Sequence, residues 1–252
     1  MPPESGSPRL LRFDEVGDIL RLAGREAPGV TLIGGQALNY WAGYYEAASP
    51  QLRAGAPYGS GDIDFLGSMS VAERLARELP GRLERTGIYG PRVTMAAISY
   101  RGSDNEPRLI HFLGDMAGVS PAEVVKTSIV LEGHLRVMHP LLCMESRVAN
   151  VLELKEYDTP HAHKQALASI ECAAAYVREL MTMGDVDGVL GANERIYRLA
   201  KQRAAGCARR GFAPFSAVLL DERLPEKFRT IRYPQMSKAL GHELSLDRSI
   251  ER

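Results

Sequence analysis

Thr31-Leu32-Ile33-Gly34-Gly35-Gln36-Ala37-Leu38 and Gly59-Ser60-Gly61-Asp62-Ile63-Asp64-Phe65-Leu66 are the two stretches in which a strand signal and polar chemistry coincide. Residues 30–33 form a short apolar run with β-branched members, the composition of a buried strand, and Gly34-Gly35 stops it at once. Residues 36–45 then read as a helix. In the second stretch, residues 62–66 are apolar at alternate positions, which reads as another strand. Successive side chains in a strand take opposite faces, so Asp62 and Asp64 project together, roughly 7 Å apart, while Ile63 and Phe65 point into the core.

Two carboxylates on one face of a buried strand repel each other, and desolvation adds to the cost unless a cation sits between them. Hard oxygen ligands of this kind suit Mg²⁺. The glycine corner supplies a second element. A strand that turns sharply through glycines into a helix presents backbone N–H groups and the positive end of the helix dipole to an anion, with no side chain in the way. Taken alone, Gly34-Gly35 is also an ordinary tight strand–helix turn, and the acidic pair alone is also a solvated strand end.

Working outward, Asp14 is placed to cap a helix ending near Gly24 or Pro28-Gly29. Residues 46–61 carry Ser, Pro and Gly with few large apolar residues and read as a long loop. A helix is expected over residues 70–79, stopped by Pro80-Gly81, with strands at 92–100, 108–113 and 128–138, the last a bent strand or a hairpin near Glu132-Gly133-His134. After Pro140 the texture turns helical, through residue 180 and again over 193–209. The expected architecture is α/β (α+β): a mixed sheet with flanking helices in residues 9–140, then a helical domain in 141–252.

The composition narrows the class. The chain has 252 residues, 45% apolar and 25% charged, which fits a globular protein and excludes collagen-like and low-complexity chains. With 31 basic and 31 acidic residues, no global field drives binding to nucleic acid or anionic membrane. Cys143, Cys172 and Cys207 are odd in number and lack CxxC spacing, as reduced intracellular thiols do. The N-terminus has no apolar signal core and no stretch reaches the roughly 18 apolar residues of a membrane span, so a cytoplasmic protein without a membrane partner is expected.

Apolar-Gly-Gly, a helix, and then Asp-apolar-Asp-apolar resembles the signature of the nucleotidyltransferase (polymerase β-like) superfamily, especially its small AbiEii-type toxin branch. The likeness covers roughly residues 30–155 and includes Ser60 and a later helix that opens with Pro140-Leu141-Leu142 and carries Arg147. The resemblance implies that Gly34 and Gly35 hold a nucleoside triphosphate, that Ser60 assists, and that Asp62 and Asp64 ligate Mg²⁺. It implies transfer of a nucleoside monophosphate to a hydroxyl of a protein or RNA, in a toxin-antitoxin or defence setting with a cognate antitoxin. The family's third carboxylate aligns with His111 in Arg108-Leu109-Ile110-His111-Phe112-Leu113-Gly114-Asp115. A neutral imidazole adds no negative charge and prefers softer metals, so either His111 or Asp115 takes the third role, or the site binds nucleotide and metal without efficient transfer. Asp115 shares the face only if the strand continues past Gly114.

Other features are weaker. His161 and His163 look like a metal tag but lack supporting ligands and are expected at the start of a surface helix. His134 and His139 fall near strand ends and carry no specific signal. The basic run over residues 195–210 could follow an RNA backbone, though a solvated face or a contact with acidic loops fits it better. Tyr40, Trp41, Tyr44 and Tyr45 form an aromatic group in which core packing accounts for most rings and one could stack on a base.

Overall fold

The computed structural model describes residues 9–27, 29–85, 94–102, 104–131, 134–201 and 222–240. Among them, strands β1 (Thr31–Ile33), β2 (Ile63–Leu66), β3 (Gly81–Arg85), β4 (Thr94–Arg101), β5 (Pro107–Leu113), β6 (Ile129–Val130) and β7 (Arg136–Val137) build one seven-stranded mixed sheet in the order β3-β4-β5-β2-β1-β7-β6. β2 runs antiparallel to β1 and parallel to β5, so it is bonded on both edges. Its four residues are all buried, as expected of a strand covered on both faces.

Helices α1 (Gly17–Glu26), α2 (Gly34–Tyr45), α3 (Pro50–Gly55), α4 (Met69–Glu78) and α5 (Pro121–Thr127) flank the sheet. They are followed by α6 (Pro140–Glu153), α7 (Pro160–Met183), α8 (Val186–Lys201) and α9 (Tyr233–Leu240). The fold is therefore the expected mixed α/β type with a helical C-terminal region. One apolar cluster joins the sheet to α1, α2 and α4, and a second lies among α6, α7, α8 and the segment around Phe228 and Tyr233. Tyr176 of α7 packs against both. No helix among the described residues is long and apolar enough to cross a membrane.

Three local differences from the sequence reading have clear causes. The stretch expected as a loop over 46–61 contains α3, nucleated by Ser49, whose hydroxyl accepts the Leu52 N–H, with Pro50 in the first turn and Leu52 fully buried. The single helical stretch expected from 141 to 180 is two helices, because α6 ends at Glu153 and Thr159 caps a new start at Pro160 by accepting the Ala162 N–H at 3.2 Å. β3 carried no apolar alternation in Gly81-Arg82-Leu83-Glu84-Arg85 because it is a mostly exposed edge strand paired to β4 alone. The expected strand over 128–138 is the antiparallel pair β6–β7, while Glu132 and Gly133 lie outside the described residues. α8 starts before its glycines, and positions 202–210 of the expected basic helix also lie outside the described residues.

The junction between sheet and helices is capped by an imidazole. His139 precedes α6, and its Nδ1 accepts the Leu141 N–H at 3.3 Å while the Tyr176 ring stands edge-on with centroids 4.7 Å apart. Burial first, and the nearby Arg195 guanidinium of α8 second, push the His139 imidazole down to about 4. An unfolded histidine titrates near 6.5, so the unfolded chain takes up this proton first as pH falls. Native stability is therefore free of this penalty above pH about 6.5 and declines as pH drops from there toward about 4. His139→Asn keeps an acceptor at the cap but does not titrate. Its urea midpoint is expected to fall less steeply with pH across that window than that of the native sequence, and equal slopes would contradict the assignment.

Candidate functional site

Strand register assembles the site. Asp64 pairs with Ile33 on β1 and with His111 on β5. Laterally paired residues point to the same face of a sheet, so Asp64 and His111 stand side by side. The opposite face carries Ile63, Phe65, Ile110 and Phe112, all fully buried, with the Phe65 and Phe112 rings 5.8 Å apart. The residue after Ile33 is Gly34, so the same register sets the glycine corner beside Asp64.

The fit at that corner explains both glycines. Gly34 has φ +69°, a conformation L side chains rarely adopt, and a Cβ placed on it would overlap the Asp64 carboxylate, with its Cγ at 2.9 Å. A Cβ on Gly35 would overlap the Ser60 hydroxyl, with the Ser60 Cβ at 2.7 Å, and approach Gln165 Nε2 to 3.1 Å. Ser60 itself is held by an isolated bridge to Leu11, with backbone bonds of 2.8 and 3.0 Å. α2 thus begins against an acid and a hydroxyl, and its N-cap residue, Ile33, makes no side-chain capping bond. Its first-turn donors lack the acceptor that usually ends a helix.

Asp62, Asp64 and His111 each offer one ligand atom, and these atoms all lie within 4.8 Å of one another. The side chains are 37%, 6% and 26% exposed respectively. His111 Nδ1 stands 3.4 Å from Asp62 Oδ2 and 3.5 Å from Asp64 Oδ1, ion-pair distances at the edge of hydrogen bonding. The Ser60 hydroxyl donates to Asp62 Oδ1 at 3.1 Å. Contact with Asp62 and then Asp64, acting against burial, holds the imidazole up to about 9. Burial raises the Asp62 carboxyl, but His111, Ser60 and Arg147 together outweigh it and leave it below the usual range. Asp64 goes the other way: burial first and the Asp62 charge second push its carboxyl up against the pull of His111 and Arg147. A protonated His111 would bring one positive charge to a pair of acids whose mutual repulsion raises one of them.

Of the two candidates for the third position, His111 joins the acids and Asp115 does not. The chain turns after β5, and the Asp115 carboxylate accepts the N–H of Met116 at 2.8 Å. Positive groups reach the same place from the helical region. Arg147 of α6 is only 8% exposed and lies close enough to lower both aspartates. Its Nη1 donates to Gln165 Oε1 at 3.4 Å, and Gln165 Nε2 donates to the Gly59 carbonyl at 3.4 Å. His161, in the first turn of α7, feels Lys164, Arg147 and Asp62, though burial is the main cause that lowers it. His161 was expected at a helix start, where it lies, but without a site role, and Gln165 was not legible because its face depends on the helix break near Thr159. Ser49-Pro50 and Thr159-Pro160, each a cap residue before a first-turn proline, were the signals available for these breaks.

Elsewhere the structure disperses the remaining candidates. His163 pairs with Asp158 at 2.8 Å. Arg195 is clamped by Glu123 and Glu145, so it serves packing between α5, α6 and α8. Cys143 and Cys172 are buried and free. Comparison of the chain with models of protein families, with curated proteins and with solved structures found no match.

Gly34→Ala is expected to destabilise the protein by more than about 2 kcal/mol, from its backbone conformation and its overlap with Asp64. Gly35→Ala is expected to cost about 1 to 3 kcal/mol by overlap with Ser60, and Ser60→Gly to recover at least half of that. Ser60→Gly is not expected to rescue Gly34→Ala. Denaturant unfolding of the single and double variants measures this, and equal recovery at both glycines would contradict the assigned contacts.

Proposed function

We propose that the protein binds a nucleoside triphosphate with Mg²⁺ and transfers a nucleoside monophosphate to a hydroxyl of a protein or RNA acceptor. One observation carries the proposal: the glycine corner that opens α2 touches Asp64 and Ser60, so a helix N-terminus suited to phosphate and a pair of acids suited to a divalent cation share one small volume. Arg147 brings positive charge toward the same volume. The sequence resemblance to polymerase β-like nucleotidyltransferases supports the reaction class.

In this reading Asp62 and Asp64 would hold Mg²⁺, which supplies charge neutralisation on the triphosphate. Gly34 and Gly35 would bind phosphate oxygens through backbone N–H groups, with Ser60 beside them. The acceptor oxygen bonds to the α-phosphorus as the bond to pyrophosphate breaks, and the acceptor's proton passes to a base. His111, beside both acids, would be that base in its neutral form. A cytoplasmic role in a toxin-antitoxin or defence pair, with a cognate antitoxin as partner, follows from the resemblance alone.

A second reading has its own support. His111 stands 3.4 and 3.5 Å from the two acids, where a protonated imidazole would offset charge without a metal, and this suits a nucleotide- or partner-binding module that performs no transfer.

Thermal melts with Mg²⁺ and each NTP separate these readings from neither being true. At ligand about 100-fold above Kd, stabilisation of about 2.7 kcal/mol is expected, a Tm rise of about 5 to 10 °C for a chain of this size. Asp62→Asn and Asp64→Asn should abolish the Mg²⁺-dependent part. Transfer of label from an α-labelled NTP, lost in the same variants, supports the enzyme. A Tm rise without label transfer supports the module, and no rise with any nucleotide removes both.

A further inference from the structure

The aromatic group on α2 resolves into two roles. Trp41 and Tyr45 are buried in the core, where the indole donates to the Met138 carbonyl at 2.8 Å and the two rings stack 5.9 Å apart. Tyr40 and Tyr44 instead face an open cavity of about 530 Å³, in the size range of small-molecule sites. Their rings are near parallel, 25° between planes with centroids 6.3 Å apart, and Tyr44 is 56% exposed. Phe13 leans on Tyr40 with centroids 5.4 Å apart, and Tyr58 closes the far wall. Gly43 is an exposed part of the lining, where a Cβ would meet nothing within 4 Å.

The charges of the lining give a phosphate little to bind, although Lys164 Nζ stands 5.4 Å from the centroid of the Tyr58 ring. The one basic residue of its lining, Arg12, is paired with Asp14 at 2.9 Å, and Glu46 adds a further carboxylate. A neutral, flat ring with N–H donors fits aromatic walls and an acidic lip. The cavity is also tied to the candidate site. Gln36 Nε2 donates to the Leu11 carbonyl at 3.0 Å, so the chain that carries Phe13 is fastened to α2 next to the Leu11–Ser60 bridge. At about 1.5 Å per residue, Tyr40 to Tyr44 lie about 9 to 14 Å along the helix from the glycine corner, within reach of one extended nucleotide.

We propose that this cavity binds a nucleobase, stacked on Tyr40 and Tyr44, and that it is the base subsite for the nucleotide whose phosphates meet Gly34 and Gly35. The inference rests on the nucleotide reading above for its ligand class, and its test is independent of the metal site.

Trp41 is the one tryptophan of the chain and touches both Tyr40 and Tyr44, with centroids 4.8 and 5.8 Å away. Adenosine, guanosine, cytidine and uridine, none bearing phosphate, are titrated against the full chain while Trp41 emission is followed. At least one is expected to change the emission saturably. Gly43→Leu adds a bulky side chain to the lining while improving helix propensity, so it should fold at least as stably and weaken that nucleoside at least tenfold. Tyr44→Ala should weaken it similarly, since base–aromatic stacking is worth about 1 to 3 kcal/mol. Asp62→Asn with Asp64→Asn should leave nucleoside binding unchanged. No response to any nucleoside, or a response that survives Gly43→Leu, overturns the proposal. If Mg²⁺ with inorganic tripolyphosphate still raises Tm in that case, the phosphate and metal reading stands while the base subsite fails.

Discussion

A carboxylate on the central strand of a sheet, its side chain only 6% exposed, is the constraint around which this fold is arranged. A charge in that position costs several kcal/mol unless it is answered by partners. Asp64 has three kinds of answer. His111 stands beside it in register on β5, Arg147 approaches from α6, and the absence of a side chain at Gly34 brings the start of α2 against it. Each comes from a different part of the chain, and each requires the others to be in place. The sheet supplies register, the glycine supplies closeness, and the helical region supplies the distant positive charge.

The same arrangement defines what the site does with a cation. An all-carboxylate cluster would carry its full repulsion, whereas here an imidazole stands 3.4 and 3.5 Å from the two acids. On the proposed reading, a divalent ion would compete with a proton as well as with water. Coordination by two carboxylates favours hard ions, and an imidazole in the set broadens the choice toward Mn²⁺ and Zn²⁺. On the proposed reading, the residue at position 111 would set both metal preference and whether a proton acceptor remains.

Much of this was legible because strand chemistry is local. The alternation in Asp62-Ile63-Asp64-Phe65 gave the faces, and the Gly34-Gly35 break after an apolar run gave the corner. The pairing of β2 with β5, which puts His111 and not Asp115 into the cluster, depends on a crossover that no local pattern encodes; only the resemblance pointed to residue 111. Gln165 was hidden by the short interruption between α6 and α7, because a break in helical phase moves every side chain that follows to another face. β3 was invisible for a different reason. An edge strand exposed on most of its surface leaves no apolar period to detect, and its charged residues read equally well as a turn.

The most direct measurement is a crystal structure of the protein grown with Mn²⁺ and a non-hydrolysable nucleoside triphosphate, located by the anomalous signal of the metal. The account predicts a Mn²⁺ peak between Asp62 and Asp64, with phosphate oxygens on the N–H groups of Gly34 and Gly35 and the His111 ring turned from its bridging position or bound to the metal. Mn²⁺ and nucleotide bound elsewhere, with His111 still bridging the two aspartates, would contradict it.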